Sequence, residues 1–245
     1  VAAMEVKEGV VSPGAVGYDI NCGVRLLTSN LEAAQIKPLL PQIMDALYNG
    51  VPSGVGRGGD LRLSRRDIDA RLERGAAWIV AQGYGTKDDL EHTEERGALA
   101  GARASALSSR AKERGANQLG TLGAGNHFIE LGEVVDIYDE EVAQQFGVFP
   151  GQLVLWIHSG SRGLGHQVCT DYARSMQKAV AKYGIRLPDR ELVCAPIKSP
   201  EGQEYMAAMA CAANYAWANR QMLMHRVRLI MDDVLAPHFK DRTFK

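Results

Sequence analysis

Apolar positions along this chain switch between the two spacings that mark strands and helices. The run Leu153-Val154-Leu155-Trp156-Ile157, bounded by turn residues, predicts a buried strand with His158 at its C-terminal end. Residues 10–27 predict extended structure broken by Gly and Pro: Val10-Val11, a Ser-Pro-Gly turn, then Val24-Arg25-Leu26-Leu27. Phe128-Ile129-Glu130-Leu131 predicts a strand leaving a glycine-rich loop. Helical spacing appears over 31–48 (Ile36, Leu39, Leu40, Ile43, Leu47), interrupted by Pro38 and Pro41. It returns from Ser64 to Gln82, with Ile68, Leu72, Ala76 and Ile79 on one face, and a short helix is expected over Val134–Phe146. Another helix is expected from Gly165 to Tyr183, with Tyr172, Met176, Ala179, Val180 and Tyr183 inward. Ser199-Pro200-Glu201 opens a last long helix, serine as N-cap and proline in the first turn, with a stripe of Met206, Met209, Ala213, Trp217 and Leu223. Residues 53–60 read as a flexible loop, and the charged, Ala/Ser-rich stretch 87–118 reads as short solvated helices. Strands and helices mix without regular alternation, which predicts an α+β fold with mixed sheets and peripheral helices.

Composition narrows the class. The 245 residues are 46% hydrophobic with a formal net charge of −1, enough for a substantial core and one large or two small domains. Near-neutral balance excludes a wholesale basic coat and leaves room for a local basic groove. No apolar run approaches the roughly 20 residues that span a bilayer, and no secretory signal precedes residue 9. The four cysteines (Cys22, Cys169, Cys194, Cys211) are scattered, so a reducing, cytoplasmic compartment is expected rather than a disulfide framework. The chain begins at Val1 and ends just after a helical pattern, so it reads as a piece of a longer protein.

Candidate chemistry concentrates in three glycine-flanked segments. Asp19 and Cys22 lie within Gly14-Ala15-Val16-Gly17-Tyr18-Asp19-Ile20-Asn21-Cys22-Gly23-Val24-Arg25, His127 ends Gly123-Ala124-Gly125-Asn126-His127, and His158 opens His158-Ser159-Gly160-Ser161-Arg162-Gly163. One oxygen, one sulfur and two nitrogen donors suit a divalent transition metal better than calcium or magnesium. A thiolate can bridge two ions, and two neighbouring ions can clamp a phosphoryl group. An Asp-x-x-Cys alone is weak, because cysteine is often just a small buried residue; the co-occurrence of the three segments raises its weight. Gly120–Gly125 can turn backbone N–H groups toward an anion, although no Walker lysine follows. Gly160-x-x-Gly163-x-Gly165 has the wrong spacing for a dinucleotide fingerprint, but the helix start after it can hold phosphate. Arg114 and Arg162 stand beside these loops and suit RNA or nucleotide phosphates. His92, His166, His225 and His238 read as surface or packing residues, and Cys169, Cys194 and Cys211 as packing thiols.

These three segments, with Ser199-Pro200-Glu201-Gly202 and Asn214–Arg220, resemble the RtcB-type RNA ligases, also called tRNA-splicing ligases, from about residue 9 to about 230. The resemblance implies an RtcB-like fold, incomplete at both ends, with residues 1–245 the central part of a single ligase domain. It implies a GTP- and manganese-dependent enzyme that joins an RNA 3′-phosphate or 2′,3′-cyclic phosphate to a 5′-hydroxyl, in tRNA splicing or RNA repair. In that scheme a histidine is guanylylated, and GMP then passes to the RNA end. By motif match, Asp19, Cys22 and His127 would hold one manganese, and Cys22 and His158 the other. Asn126, His127, Phe128, Ile129 and Glu130 would lie along the guanylate, and Arg114 and Arg162 would meet RNA phosphates. The family's third metal histidine and its nucleophilic histidine have no match here and are expected beyond Lys245, so this piece alone is expected to be inactive. Ala15 stands where the family usually has glycine. A monomer, an archease-type activating protein as possible partner, and no membrane are also expected. Two alternatives remain on the residues alone: a metal- and RNA-binding paralogue or truncation without ligase activity, and a two-metal phosphohydrolase.

Overall fold

Ser12 and Pro13 set the start of the fold. In the computed structural model, which describes residues 8–54, 58–59 and 65–245, strand β1 (Val10–Val11) runs into the one-turn helix α1 (Pro13–Val16). Ser12 Oγ accepts from Ala15 N at 3.4 Å and Pro13 supplies the first helical φ, so the expected Ser-Pro-Gly turn is a capped helical turn. Strand β2 (Gly23–Glu32) is followed by α2 (Ala33–Ile36), a 3-10 turn at Lys37–Leu39 and α3 (Leu40–Gly50), broken where Pro38 and Pro41 demand it. Helix α4 (Arg65–Ala81) kinks at Gly75 (φ 54°), where a Cβ would sit 2.0 Å from Gly97 O. Then come α5 (Lys87–Glu91), α6 (Ser109–Ala116), β3 (Phe128–Glu133), α7 (Glu140–Phe146), β4 (Gln152–Ser159), α8 (Arg162–Lys182), β5 (Ala195–Pro196) and α9 (Pro200–Leu235).

β2, β4 and β3 form an antiparallel sheet in that order, and β1 pairs with β5. The mixture of small sheets and helices is α+β. Helix α9, 36 residues long, runs through both apolar clusters. Its first half packs with α4, α6 and α8 around Leu72, Ile79, Leu164 and Tyr215. Its second half packs with α3 and one face of the sheet around Ile43, Leu155, Ile157 and Val227.

Four local expectations change. The helix expected over Val134–Phe146 starts only at Glu140, because Val134 still belongs to the ladder: its N–H donates to Gln152 O at 3.0 Å, and Asp139 caps the helix from Val142 N at 3.0 Å. Of the run Leu153–Ile157 only Trp156 is exposed, in register with the exposed Leu26; Val154, on the same face, is buried. In the stretch 87–118, Ala104, Ala106, Leu107 and Ala111 are core residues, so these short helices are less solvated than charge suggests. The loop at 53–60 is tied down at its start, where Ser53 pairs with Gly123 and Gly54 N donates to Gly123 O at 2.8 Å. Residues 55–57 of that loop, residue 60, and the helix start expected at Ser64 lie outside the described residues.

Candidate metal centre

Three separate backbone devices bring Asp19, Cys22, His127 and His158 together. The turn before β2 closes with Cys22 N donating to Asp19 O at 3.0 Å, and Asn21 takes φ 56°, a left-handed conformation asparagine tolerates. That turn aims a carboxylate and a thiol at one point. His127 immediately precedes β3, and His158 is the penultimate residue of β4. Because β4 lies between β2 and β3, Val24, His158 and Phe128 share one row across the sheet. Residues more than a hundred positions apart therefore meet: Cys22 Sγ lies 3.4 Å from His127 Nε2 and 3.2 Å from His158 Nε2. His127 Nε2 is 2.8 Å from Asp19 Oδ2.

The donor atoms of Asp19, Cys22 and His127 all lie within 4.8 Å of one another, the one such three-residue group among the described residues. Its electrostatics fit a cation. His127 Nδ1 is 2.9 Å from Leu122 O, a carbonyl that can only accept; with the ring proton on Nδ1, the Nε2 lone pair faces Asp19. Two acceptors 2.8 Å apart require a proton or a cation between them. Burial would raise the Asp19 carboxyl, but a proton between it and His127 Nε2, with hydrogen bonds from Cys22 and Ser161, outweighs burial and holds the group at about 2. Burial and then the Asp19 charge push the Cys22 thiol up to about 11, so without a cation it keeps its proton at neutral pH. A bound divalent ion would reverse that, since metal binding expels the thiol proton.

The supporting residues come from α9 and the glycine loops. Arg220, buried beneath the turn, donates from Nη1 to Asn21 O and Ser159 O, both at 2.8 Å, and from Nη2 to Asn21 Oδ1 at 2.9 Å. At Gly23 a Cβ would lie 3.2 Å from that guanidinium carbon, so any larger residue there would make the arginine give by a few tenths of an ångström. Asn219 Oδ1 accepts from Gly120 N at 2.8 Å and Thr121 N at 3.2 Å, while its Nδ2 donates to Thr121 O at 3.1 Å and Ser159 Oγ at 3.0 Å. Ser159 Oγ in turn donates to Leu122 O at 3.0 Å, the carbonyl that orients His127. One side chain thus couples the loop carrying His127 to the strand end carrying His158. At Gly160 a Cβ would lie 2.3 Å from Asp19 Oδ2, so only glycine leaves the carboxylate its place. Sequence reasoning missed Asn219 and Arg220 as site residues; the signal was polar side chains interrupting an alanine-rich helix.

The remaining expected residues surround this centre. Arg162 opens α8 with φ 54°, and its Nη1 lies 3.1 Å from His127 Nδ1. Arg114, on the last turn of α6, is exposed and donates to Gln167 Oε1 at 3.2 Å. Asn126, Phe128 and Glu130 are exposed, and the Phe128 ring meets His158 edge-on at 5.2 Å. Ile129 instead packs into the cluster beneath the sheet, as strand alternation requires. Of the other histidines, His92 is exposed, His225 packs edge-on against Tyr84, and His166 lies 5.8 Å from the Tyr18 ring. Cys169, Cys194 and Cys211 are free and buried.

Comparison with known proteins adds an independent line. The family model described as tRNA-splicing ligase RtcB matches residues 1–244. The tRNA-splicing ligase RtcB of Archaeoglobus fulgidus is 56% identical over 235 residues, covering 96% of this chain and 49% of that protein. Its namesake in Thermococcus kodakarensis is 53% identical over 241 residues, covering 98% of this chain and 50% of that protein. The chain therefore spans about half the length of these curated relatives. Among the described residues, no helix is long and apolar enough to cross a membrane.

Proposed function

The chain belongs to the RtcB family, and from that membership we propose that it is the metal- and RNA-binding part of an RNA ligase. The reaction is the joining of an RNA 3′-phosphate or 2′,3′-cyclic phosphate end to a 5′-hydroxyl end, with GTP and manganese as cofactors. The observation that carries this reading is the approach of Cys22 Sγ to both His127 Nε2 and His158 Nε2, at 3.4 and 3.2 Å, with Asp19 Oδ2 closing the group. Asp19, Cys22 and His127 would hold one manganese, and Cys22 with His158 a second. Manganese bound there would supply Lewis-acid stabilisation of charge on phosphate oxygens.

The other roles belong to residues of the chain itself. Arg162 and Arg114 would bind RNA phosphates through charge-assisted hydrogen bonds, and neither is engaged by a carboxylate in the contacts above. Asn126, Phe128 and Glu130 would line the guanylate site on the exposed side of β3. The histidine that accepts the guanylyl group is not assigned to any residue of this chain. The whole stretch 1–245 is read as the central part of one ligase domain.

The test is sealing. The purified gene product carrying this chain is incubated with manganese, GTP, an RNA ending in 3′-phosphate and an RNA beginning with 5′-hydroxyl. A joined product that depends on GTP and resists phosphatase is expected. Release of inorganic phosphate without joining would assign metal-dependent hydrolysis instead. Retained RNA binding with neither reaction would assign a binding paralogue.

A further inference from the structure

Tyr18 and His166 form an exposed ring pair beside the metal centre, and no role described above uses it. Tyr18 is 56% exposed and its ring centroid lies 5.8 Å from that of His166, with the planes tilted by 41°. Burial lowers the His166 imidazole from its ordinary value; the Asp19 charge opposes this, and Arg114 and Arg162 add to it. The pair is held by backbone packing. At Gly165 a Cβ would fall 1.9 Å from Ser161 Oγ and 3.3 Å from Ile20 N, so the first turn of α8 lies directly on the Asp19-Ile20 turn. Tyr18 is the neighbour of Asp19, whose carboxylate faces the centre. His166 stands one helical turn after Arg162, about 6 Å along the axis. Arg114 borders the same helix start, through Gln167 and against Gly163.

We propose that the Tyr18–His166 pair is a stacking platform for a nucleobase of the bound RNA, one whose phosphate is held by Arg114 or Arg162. The inference rests on the RNA-ligase reading above and names the feature of RNA that this side of the centre recognises. Its logic is that of single-strand readers: guanidinium groups track the backbone while exposed aromatic faces take bases without demanding a sequence. An aromatic pair one residue from a metal-facing carboxylate and one turn from a phosphate-binding arginine has that layout. The edge-on Phe128–His158 pair lies across the centre, on the sheet, and Phe128 belongs to the expected guanylate segment.

The test uses the full gene product and fluorescence anisotropy with a short single-stranded RNA ending in 3′-phosphate, in manganese. Each of the last three nucleotides is replaced in turn by an abasic one, and the series is repeated with a 5′-hydroxyl strand. Tyr18→Ala is expected to weaken binding about 10-fold, within the range that one stacked base contributes. Tyr18→Phe, which keeps the ring, is expected to hold affinity within about 2-fold. At one position the abasic RNA should bind wild type as weakly as intact RNA binds Tyr18→Ala, and Tyr18→Ala should be indifferent to that replacement. Equal sensitivity of wild type and Tyr18→Ala to every abasic position overturns the platform while leaving the ligase reading intact. Wild type that fails to bind either RNA overturns both. His166→Ala serves as the second variant, and unchanged thermal melting of each variant separates lost stacking from lost folding.

Discussion

Asn219→Ala isolates the idea that α9 assembles the centre. The side chain is fully buried and makes five hydrogen bonds, two of them accepted from the amides of Gly120 and Thr121. Truncation leaves those two N–H groups without their partner, and each such buried donor costs about 1–3 kcal/mol. The total, about 2–6 kcal/mol, corresponds to a melting point lowered by roughly 5–20 °C in a domain of this size. Asn214→Ala is the matched control. Asn214 is equally buried and accepts from Leu99 N at 2.7 Å while donating to Leu72 O at 3.0 Å, away from the metal residues. Calorimetry should show comparable losses for the two variants. Cobalt titration, followed by the thiolate-to-metal charge-transfer band, should separate them. Asn219→Ala is expected to lose about tenfold or more in cobalt affinity, as loss of an orienting partner does elsewhere, because His127 and His158 lose their common anchor. Asn214→Ala should titrate like wild type. Equal cobalt affinities for the two variants would refute the assignment of Asn219 to the centre, whatever the melting points.

Three further outcomes follow from the same geometry. Gly160→Ala is expected to lower metal affinity about tenfold or more by driving Asp19 aside, whereas Gly125→Ala, with open space around it and φ +83°, should cost about 1–2 kcal/mol of stability and leave metal binding unchanged; isothermal titration of both decides. Cys22→Ala should abolish both proposed manganese sites and Asp19→Ala weaken one, so metal analysis that finds the same stoichiometry in Cys22→Ala as in wild type counts against the shared thiolate. Asp89 is buried and accepts from Arg228 Nη1 at 2.7 Å, Gln221 Nε2 at 2.9 Å and Thr86 N at 2.9 Å; burial opposes its ionisation, but these donors hold its carboxyl below the ordinary range. A depressed carboxyl stabilises the fold above its unfolded pKa, and that contribution is lost as pH falls through about 4 and below. Urea unfolding should therefore show wild type losing more stability than Asp89→Asn on acidification, and parallel curves would reject this account.

The residues of the centre were legible as chemistry but not as geometry. Glycine-flanked Asp, Cys and His declare ligand types, and His158 stands out because it ends an apolar run. Their meeting depends on β4 lying between β2 and β3 in a register that pairs Val24, His158 and Phe128, and strand order is invisible to periodicity. Trp156 departs as well. Five consecutive apolar residues imply burial on both faces, and four of them are buried, Val154 included; Trp156, on the same face as Val154, is 39% exposed. Helix α9 shows the opposite failure. Its Met and Trp stripe predicts one buried face, but alanines at 207, 208, 210, 212, 213, 216 and 218 let neighbours close in all round. Once every face is covered, Asn214, Asn219, Arg220 and Gln221 cannot rely on water, and each must find a partner within the protein. Their partners are backbone groups of Leu72 and Leu99, of the glycine loop, of the Asp19–Cys22 turn and of Tyr84. Polar residues that break an alanine-rich helix thus announce that distant loops must come to it. In this chain two of those loops carry Asp19, Cys22 and His127.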